Sequence, residues 1–101
     1  MAPASFVYEL SQEADDDLDE IYDYTADNFG VEQAVTYLGS FEEIFNDLCK
    51  HPELGRERNE IRSGLRSLAH QSHSIFYRVL TNKIRIVRIL HGSRDIARFL
   101  Q

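Results

Sequence analysis

The chain has 101 residues, 43% of them apolar, enough for one core and a single domain over 1–101. Its formal net charge of −6 argues against a general nucleic-acid binder, which normally carries a basic footprint. No run of about 18 apolar residues could cross a membrane. Residues 1–5 lack the basic-then-apolar pattern of a secretory signal.

In chain order, Phe6-Val7-Tyr8-Glu9-Leu10 is a short strand. Ser11 then offers an N-cap, and Glu13, Asp15, Asp16 and Asp17 suit a helix N-terminus. The first helix is expected from about Gln12 to Asn28, with Ala14, Leu18, Ile21, Tyr22, Thr25 and Phe29 on one stripe and Gly30 as its stop. The second is expected over Val31 to Lys50, on a stripe of Ala34, Tyr37, Leu38, Phe41, Phe45 and Leu48. So short a turn makes them an antiparallel hairpin. Gly39 costs the second helix about 1 kcal/mol against Ala, and close helix–helix approach is one reason to tolerate it. Cys49 lies in the same pattern and reads as a buried thiol. Being alone, it allows no intrachain disulfide and fits a reducing cytoplasm.

His51-Pro52-Glu53-Leu54-Gly55 breaks the helix, and residues 56–64 read as a polar loop. Leu65 to His70 is a further strand candidate. Ser74 to Asp95 is the most informative stretch. Two β-branched and aromatic runs flank Thr81-Asn82-Lys83 as a β-hairpin, and the second breaks at His91-Gly92-Ser93-Arg94-Asp95. Arg94 to Gln101 ends in a short helix or a tail. The order β-α-α-β-β-β is an α+β domain, a helical hairpin packed on a small antiparallel sheet.

Charge divides the chain. Residues 1–49 hold thirteen Asp or Glu and no Lys or Arg, whereas residues 50–101 hold four acids and all eleven bases, so the halves carry −13 and +7. The basic half would welcome an acidic partner. Strict alternation puts Arg78 on one face with Phe76 and Leu80, and Arg88 with Ile84, Ile86 and Leu90, so each arginine interrupts an apolar row. Such an arginine is either paired internally with an acid of the helical hairpin or part of a basic floor for a ligand.

Chemistry is harder to assemble. The acids around Asp15–Asp17 point about 100° apart on a helix and do not converge on one ion. His70, His73 and His91 have no familiar zinc spacing, and residues three apart in one strand face opposite sides. No metal or cofactor is therefore expected. Ser93 lacks a nucleophile-elbow pattern, and Tyr77 reads as a core residue with a bonded hydroxyl.

The chain resembles the ParE toxins of the RelE/ParE superfamily of bacterial toxin–antitoxin modules. The landmarks are LSQEADDDLDEIYDYT at 10–25, FGVEQA at 29–34, HPELGR at 51–56, GLRS at 64–67, IFYRV at 75–79 and IVRILHGSRD at 86–95. Their order and spacing carry the resemblance over about Val7 to Arg98. It implies the same fold and a cytoplasmic toxin that inhibits DNA gyrase. It also implies neutralisation in a hetero-oligomer with a ParD-like antitoxin, whose flexible tail would lie in the groove between hairpin and sheet near Arg66, Arg78, Arg85 and Arg88. His91, Arg94 and Arg98 are expected to present the toxic surface. RelE-like relatives are messenger-RNA endoribonucleases. Their catalytic positions would fall near Leu65, Ser67, Ser74 and Leu100, and only Arg94 matches a basic one. The resemblance therefore implies a protein with no catalytic residues, the alternatives being RNA cleavage, if the histidines compensate, or an inactive relative that only binds its antitoxin.

Overall fold

The computed structural model describes residues 6–92 together with Arg98 and Leu100. Strand β1 (Val7–Leu10) leads into helices α1 (Gln12–Phe29) and α2 (Val31–Lys50). A single 3-10 turn (Pro52–Leu54) precedes strands β2 (Arg56–Glu57), β3 (Leu65–His70), β4 (His73–Val79) and β5 (Lys83–His91). The five strands form one sheet ordered β1-β5-β4-β3-β2. The helical hairpin and the α+β class are as expected from the sequence.

The sheet differs from the expectation in two respects. β2 is a fifth strand inside the segment read as a loop, and only two residues long. β1 pairs parallel with β5, in the register Val7↔Lys83 to Leu10↔Ile86. The helical hairpin supplies the long crossover that a parallel pair requires. The other pairings are antiparallel.

Ser11 shows how the first helix is set against the sheet. Its Oγ accepts from the Ala14 amide at 3.0 Å, capping α1. The same hydroxyl donates to the Val87 carbonyl at 2.7 Å. The Ser11 amide donates to the Ile86 carbonyl at 2.9 Å. The chain thus leaves β1 and enters α1 while still bonded to β5. Gly30 then turns the chain between helices at φ +96°, where a side chain would be strained.

The main core lies between helices and sheet. Ala14, Ile21, Phe41, Phe45, Leu48 and Cys49 meet Ile75, Tyr77, Ile84, Ile86 and Ile89 there. Cys49 is buried, and burial pushes its thiol pKa up. Tyr77 is fully buried. Its hydroxyl donates to the Pro52 carbonyl and accepts from the Gly55 amide, both at 2.7 Å. A Cβ at Gly55 would sit 2.7 Å from that ring and from the Ser67 carbonyl, so only glycine lets the loop lie this close. Gly39 has no such reason. It is exposed and a Cβ there would meet nothing, so the expected close helix approach is absent. Phe29 also departs from its stripe and is 68% exposed at the hairpin tip.

Candidate functional site

The helices cover one face of the sheet. On the other, Leu65, Phe76, Leu90 and Leu100 form a second apolar cluster, with Ile61 and Val87 packed against it. A β-bulge decides which side chains share this open face. The β4–β5 register runs Phe76↔Arg88 and then Tyr77↔Ile86, leaving Val87 as the extra residue. One added residue reverses the alternation beyond it. Ile84, Ile86 and Ile89 therefore face the helices. Arg88 does not share a face with Ile84 and Ile86, as strict alternation required, but one with Phe76 and Leu90.

The arginines expected to form one floor are divided by this geometry. Arg78 and Arg85 are direct cross-strand partners on the open face. Like charges so placed repel. Arg85 and Lys83 share one acid, Glu9, at 2.5 and 3.2 Å. The two cations hold the Glu9 carboxyl below the usual carboxylate range, Arg85 first. Among the described residues no acid forms an ion pair with Arg78. Its guanidinium lies over Gly64, 3.1 Å from where a Cβ would stand.

Arg66 and Arg88 are committed internally. Arg66 is the register partner of Tyr77, on the helix side of the sheet at its far edge. It donates to the Gly55 carbonyl at 2.7 Å and pairs with Glu57 at 3.5 Å. Arg88 donates from Nε and Nη2 to the two carboxylate oxygens of Asp17, each at 2.9 Å. That pairing, then desolvation against it, leaves the Arg88 pKa raised. Of the two roles open to these arginines from sequence, Arg88 takes the internal pair with an acid of the hairpin. The interior between hairpin and sheet is packed core, so the four do not line a groove there.

Arg58 is a residue that sequence reading missed. It lies in the supposed loop, yet its guanidinium sits 5.7 Å over the Phe76 ring. Its Nη1 donates to Ser67 Oγ at 3.0 Å and its Nε pairs with Glu60 at 2.7 Å. Only the alternation of Arg and Glu at 56–60 could have hinted at this.

The histidines are also rearranged. His70 and His73 flank a two-residue turn and are register partners, and His73 is in turn the partner of His91. Three apart in one strand, His70 and His73 would face opposite sides. They lie in two strands, hence on one face. His73 Nδ1 bonds the Tyr37 hydroxyl at 2.8 Å, and His70 Nε2 bonds Ser40 Oγ at 2.7 Å. Both fasten the turn to α2. Among the described residues no three His, Cys, Asp or Glu are placed to hold a metal ion. Of the expected toxic surface, His91 and Arg98 are exposed. Arg94 lies outside the described residues.

The face away from the helices thus carries an apolar cluster that is itself buried, with the half-buried Arg78–Arg85 pair at its side, cations suited to an acidic segment. Comparison with known proteins identifies the fold that carries it. The family model for the ParE toxin of the type II toxin–antitoxin system parDE matches residues 8–96. Toxin ParE1 of Mycobacterium tuberculosis is 42% identical over 94 residues, covering 92% of this chain and 96% of that protein. Toxin ParE1 of Caulobacter vibrioides is 38% identical over 88 residues, covering 87% and 91%. A solved structure described as a chromosomal ParDE system from P. aeruginosa superimposes with a TM-score of 0.75 at 26% identity, over 88% of this chain and 98% of that one. A match spanning both helices and all five strands, joined to relatives of this identity over nearly their full length, places the chain in the ParE toxin family of type II toxin–antitoxin systems.

Proposed function

We propose that this toxin acts by stoichiometric binding, inhibiting DNA gyrase when free and being silenced by a ParD-like antitoxin. The observation that carries the reading is the apolar cluster on the open face. RNA cleavage requires a base, an acid and cations around the scissile phosphate. At the positions corresponding to RelE-like catalytic groups, Leu65 and Leu100 are instead buried together against Phe76 and Leu90. Ser67 is buried and bonded to Arg58. The same face, with Arg78 in no ion pair among the described residues and Arg85 sharing Glu9 with Lys83, suits the antitoxin tail. Arg78 and Arg85 take its carboxylates, while Arg66 and Arg88 hold the rims of the sheet. His91, at the end of β5, and Arg94 and Arg98, which follow it in the sequence, are the residues we assign to the target.

Purified protein tests this directly. It should block gyrase supercoiling and leave ribosome-bound messenger intact. Replacement of His91, Arg94 and Arg98 by Ala should abolish the block while antitoxin binding persists. Codon-position cuts in the messenger would make the protein a RelE-like nuclease and overturn the reading.

A further inference from the structure

Three histidines stand side by side across the sheet. His73 of β4 has His70 of β3 as its register partner on one side and His91 of β5 on the other. The His73 and His91 rings lie 5.4 Å apart, edge to face. His70 and His73 both pack on Tyr37 and Phe41 of α2. Histidine is the side chain that ordinarily changes charge between about pH 5 and 8, and like charges on neighbouring strands repel.

The turn that joins β3 to β4 is held from two sides. The Ser72 amide donates to the Tyr37 hydroxyl oxygen, and the Ser72 carbonyl accepts the Gly92 amide at 2.8 Å. Ser72 thus ties α2 to the residue that follows His91. Its neighbour Gln71 stands at φ +56°, alone among the described non-glycine residues in the left-handed region. Such a conformation persists only where its surroundings hold it. The Tyr37 oxygen also lies 2.8 Å from His73 Nδ1. With the Ser72 amide donating to that oxygen, the phenol gives its own hydrogen to Nδ1, which accepts only while the ring is neutral.

Charged groups and burial act on the row in opposite directions. From α1, Glu20 and Tyr24 border the same cleft as His73 and His91, while Asp17 there is paired with Arg88 of β5. From α2, Glu43, Asp47 and Lys50 border a depression beside His70. The acids favour a charged ring, whereas burial, which lowers the His70 pKa, favours a neutral one. His70 Nε2 donates to Ser40 Oγ, because Ser40 spends its own proton on the Tyr37 carbonyl, so a second proton on His70 leaves that bond in place. A second proton on His73 instead removes the acceptor for Tyr37 and sets a charge between two imidazoles. We propose that the row is an acid-released latch: protonation of His73 frees Tyr37 and Ser72, the strained turn lifts from α2, and the end of β5 at His91 and Gly92 loosens with it. Its consequence for the target rests on the assignment of His91 and the residues after it made above; the latch itself does not.

The test follows amide shifts and hydrogen exchange in the isotopically labelled full chain between about pH 7.5 and about pH 5, the range in which imidazoles titrate. The Ser72 and Gly92 amides should shift with one shared midpoint. The protection factor of Gly92 should fall at least tenfold, while that of Phe45 inside α2 holds. His73→Gln, neutral at every pH, should keep Gly92 protected at the acid end. Tyr37→Phe should release Gly92 already at the neutral end, and acid should add little. Unchanged protection of Gly92 across the range, an equal loss in His73→Gln, a loss shared by Phe45, or full protection of Gly92 in folded Tyr37→Phe would each overturn the latch. The readout is a set of bonds in the isolated protein, so a failed latch and a failed gyrase assay are separately visible.

Discussion

Asp17 of α1 holds Arg88 of β5 through two parallel hydrogen bonds of 2.9 Å, and the same carboxylate accepts the Ile89 amide at 2.9 Å. The strand β1 leaves the edge of β5 at Ile86. Beyond that point Ser11 and Asp17 bond the strand in its place, so α1 finishes the edge that β1 leaves uncovered. Removing one partner of a buried pair strands the other charge, at a cost of about 3–5 kcal/mol. Asp17→Ala additionally orphans the Ile89 amide. Its thermal midpoint should fall by more than about 10 °C, given about 4–8 °C per kcal/mol for a domain of this size. A circular-dichroism melt within two degrees of the parent would show that the pair contributes little.

The open face separates binding from stability. Arg78→Glu turns a repulsive cross-strand pair into an attractive one with Arg85, a change of about 0.2–1 kcal/mol in favour of the fold. Tm should hold or rise. Affinity for the cognate antitoxin, measured by calorimetry, should nevertheless fall more than tenfold, and Arg85→Glu should weaken it similarly. Undiminished affinity in the folded variants would remove these arginines from the antitoxin surface.

Gly39 offers the opposite kind of test. It sits mid-helix at an exposed position where a methyl group meets open space. Gly39→Ala should stabilise the protein by about 1 kcal/mol through helix propensity alone. A chemical denaturation curve with an unchanged or lower midpoint would contradict this.

His70 gives a pH dependence of definite sign. Ser40 spends its hydroxyl proton on the Tyr37 carbonyl at 2.6 Å, so His70 Nε2 donates to Ser40 Oγ. Burial lowers the His70 pKa below its ordinary 6.5. The folded state therefore keeps the ring neutral after the unfolded chain has begun to take up a proton. Stability should fall as pH drops below about 6.5, through the window down to the folded value. His70→Gln should flatten that part of the profile in urea titrations at pH 5 and pH 7. An identical slope in the variant would assign the dependence to other groups.

The helices were legible because 3.6-residue periodicity, a serine cap and a glycine stop agree over long segments. β3, β4 and β5 were legible from their β-branched and aromatic runs. What escaped has a common character. The bulge at Val87 adds one residue and leaves no compositional mark, yet it moves Arg88 to the other face. Asp17 is the third of three consecutive aspartates, and nothing local distinguishes the one that turns inward. β2 is too short to carry a pattern. His70 and His73 were misplaced because a two-residue turn between two polar histidines looks like continuous strand. The gap between sequence and site is therefore register: the residue types were visible, but which of them share a face was not.

The parallel pairing of the first strand with the last has a consequence for how the protein is made. Ser11 bonds Val87, 76 positions downstream. At about 5–20 residues per second of synthesis, β1 waits for several seconds before β5, its neighbour in the sheet, exists. The helical hairpin, built from local contacts, can form in that interval, whereas the central sheet cannot. Arg85, half of the cross-strand arginine pair, arrives with that last strand. A nascent or truncated chain ending before Lys83 carries Phe76 and Arg78 but lacks Arg85 and Leu90, so the capacity to engage a partner on this face is completed only as translation nears its end.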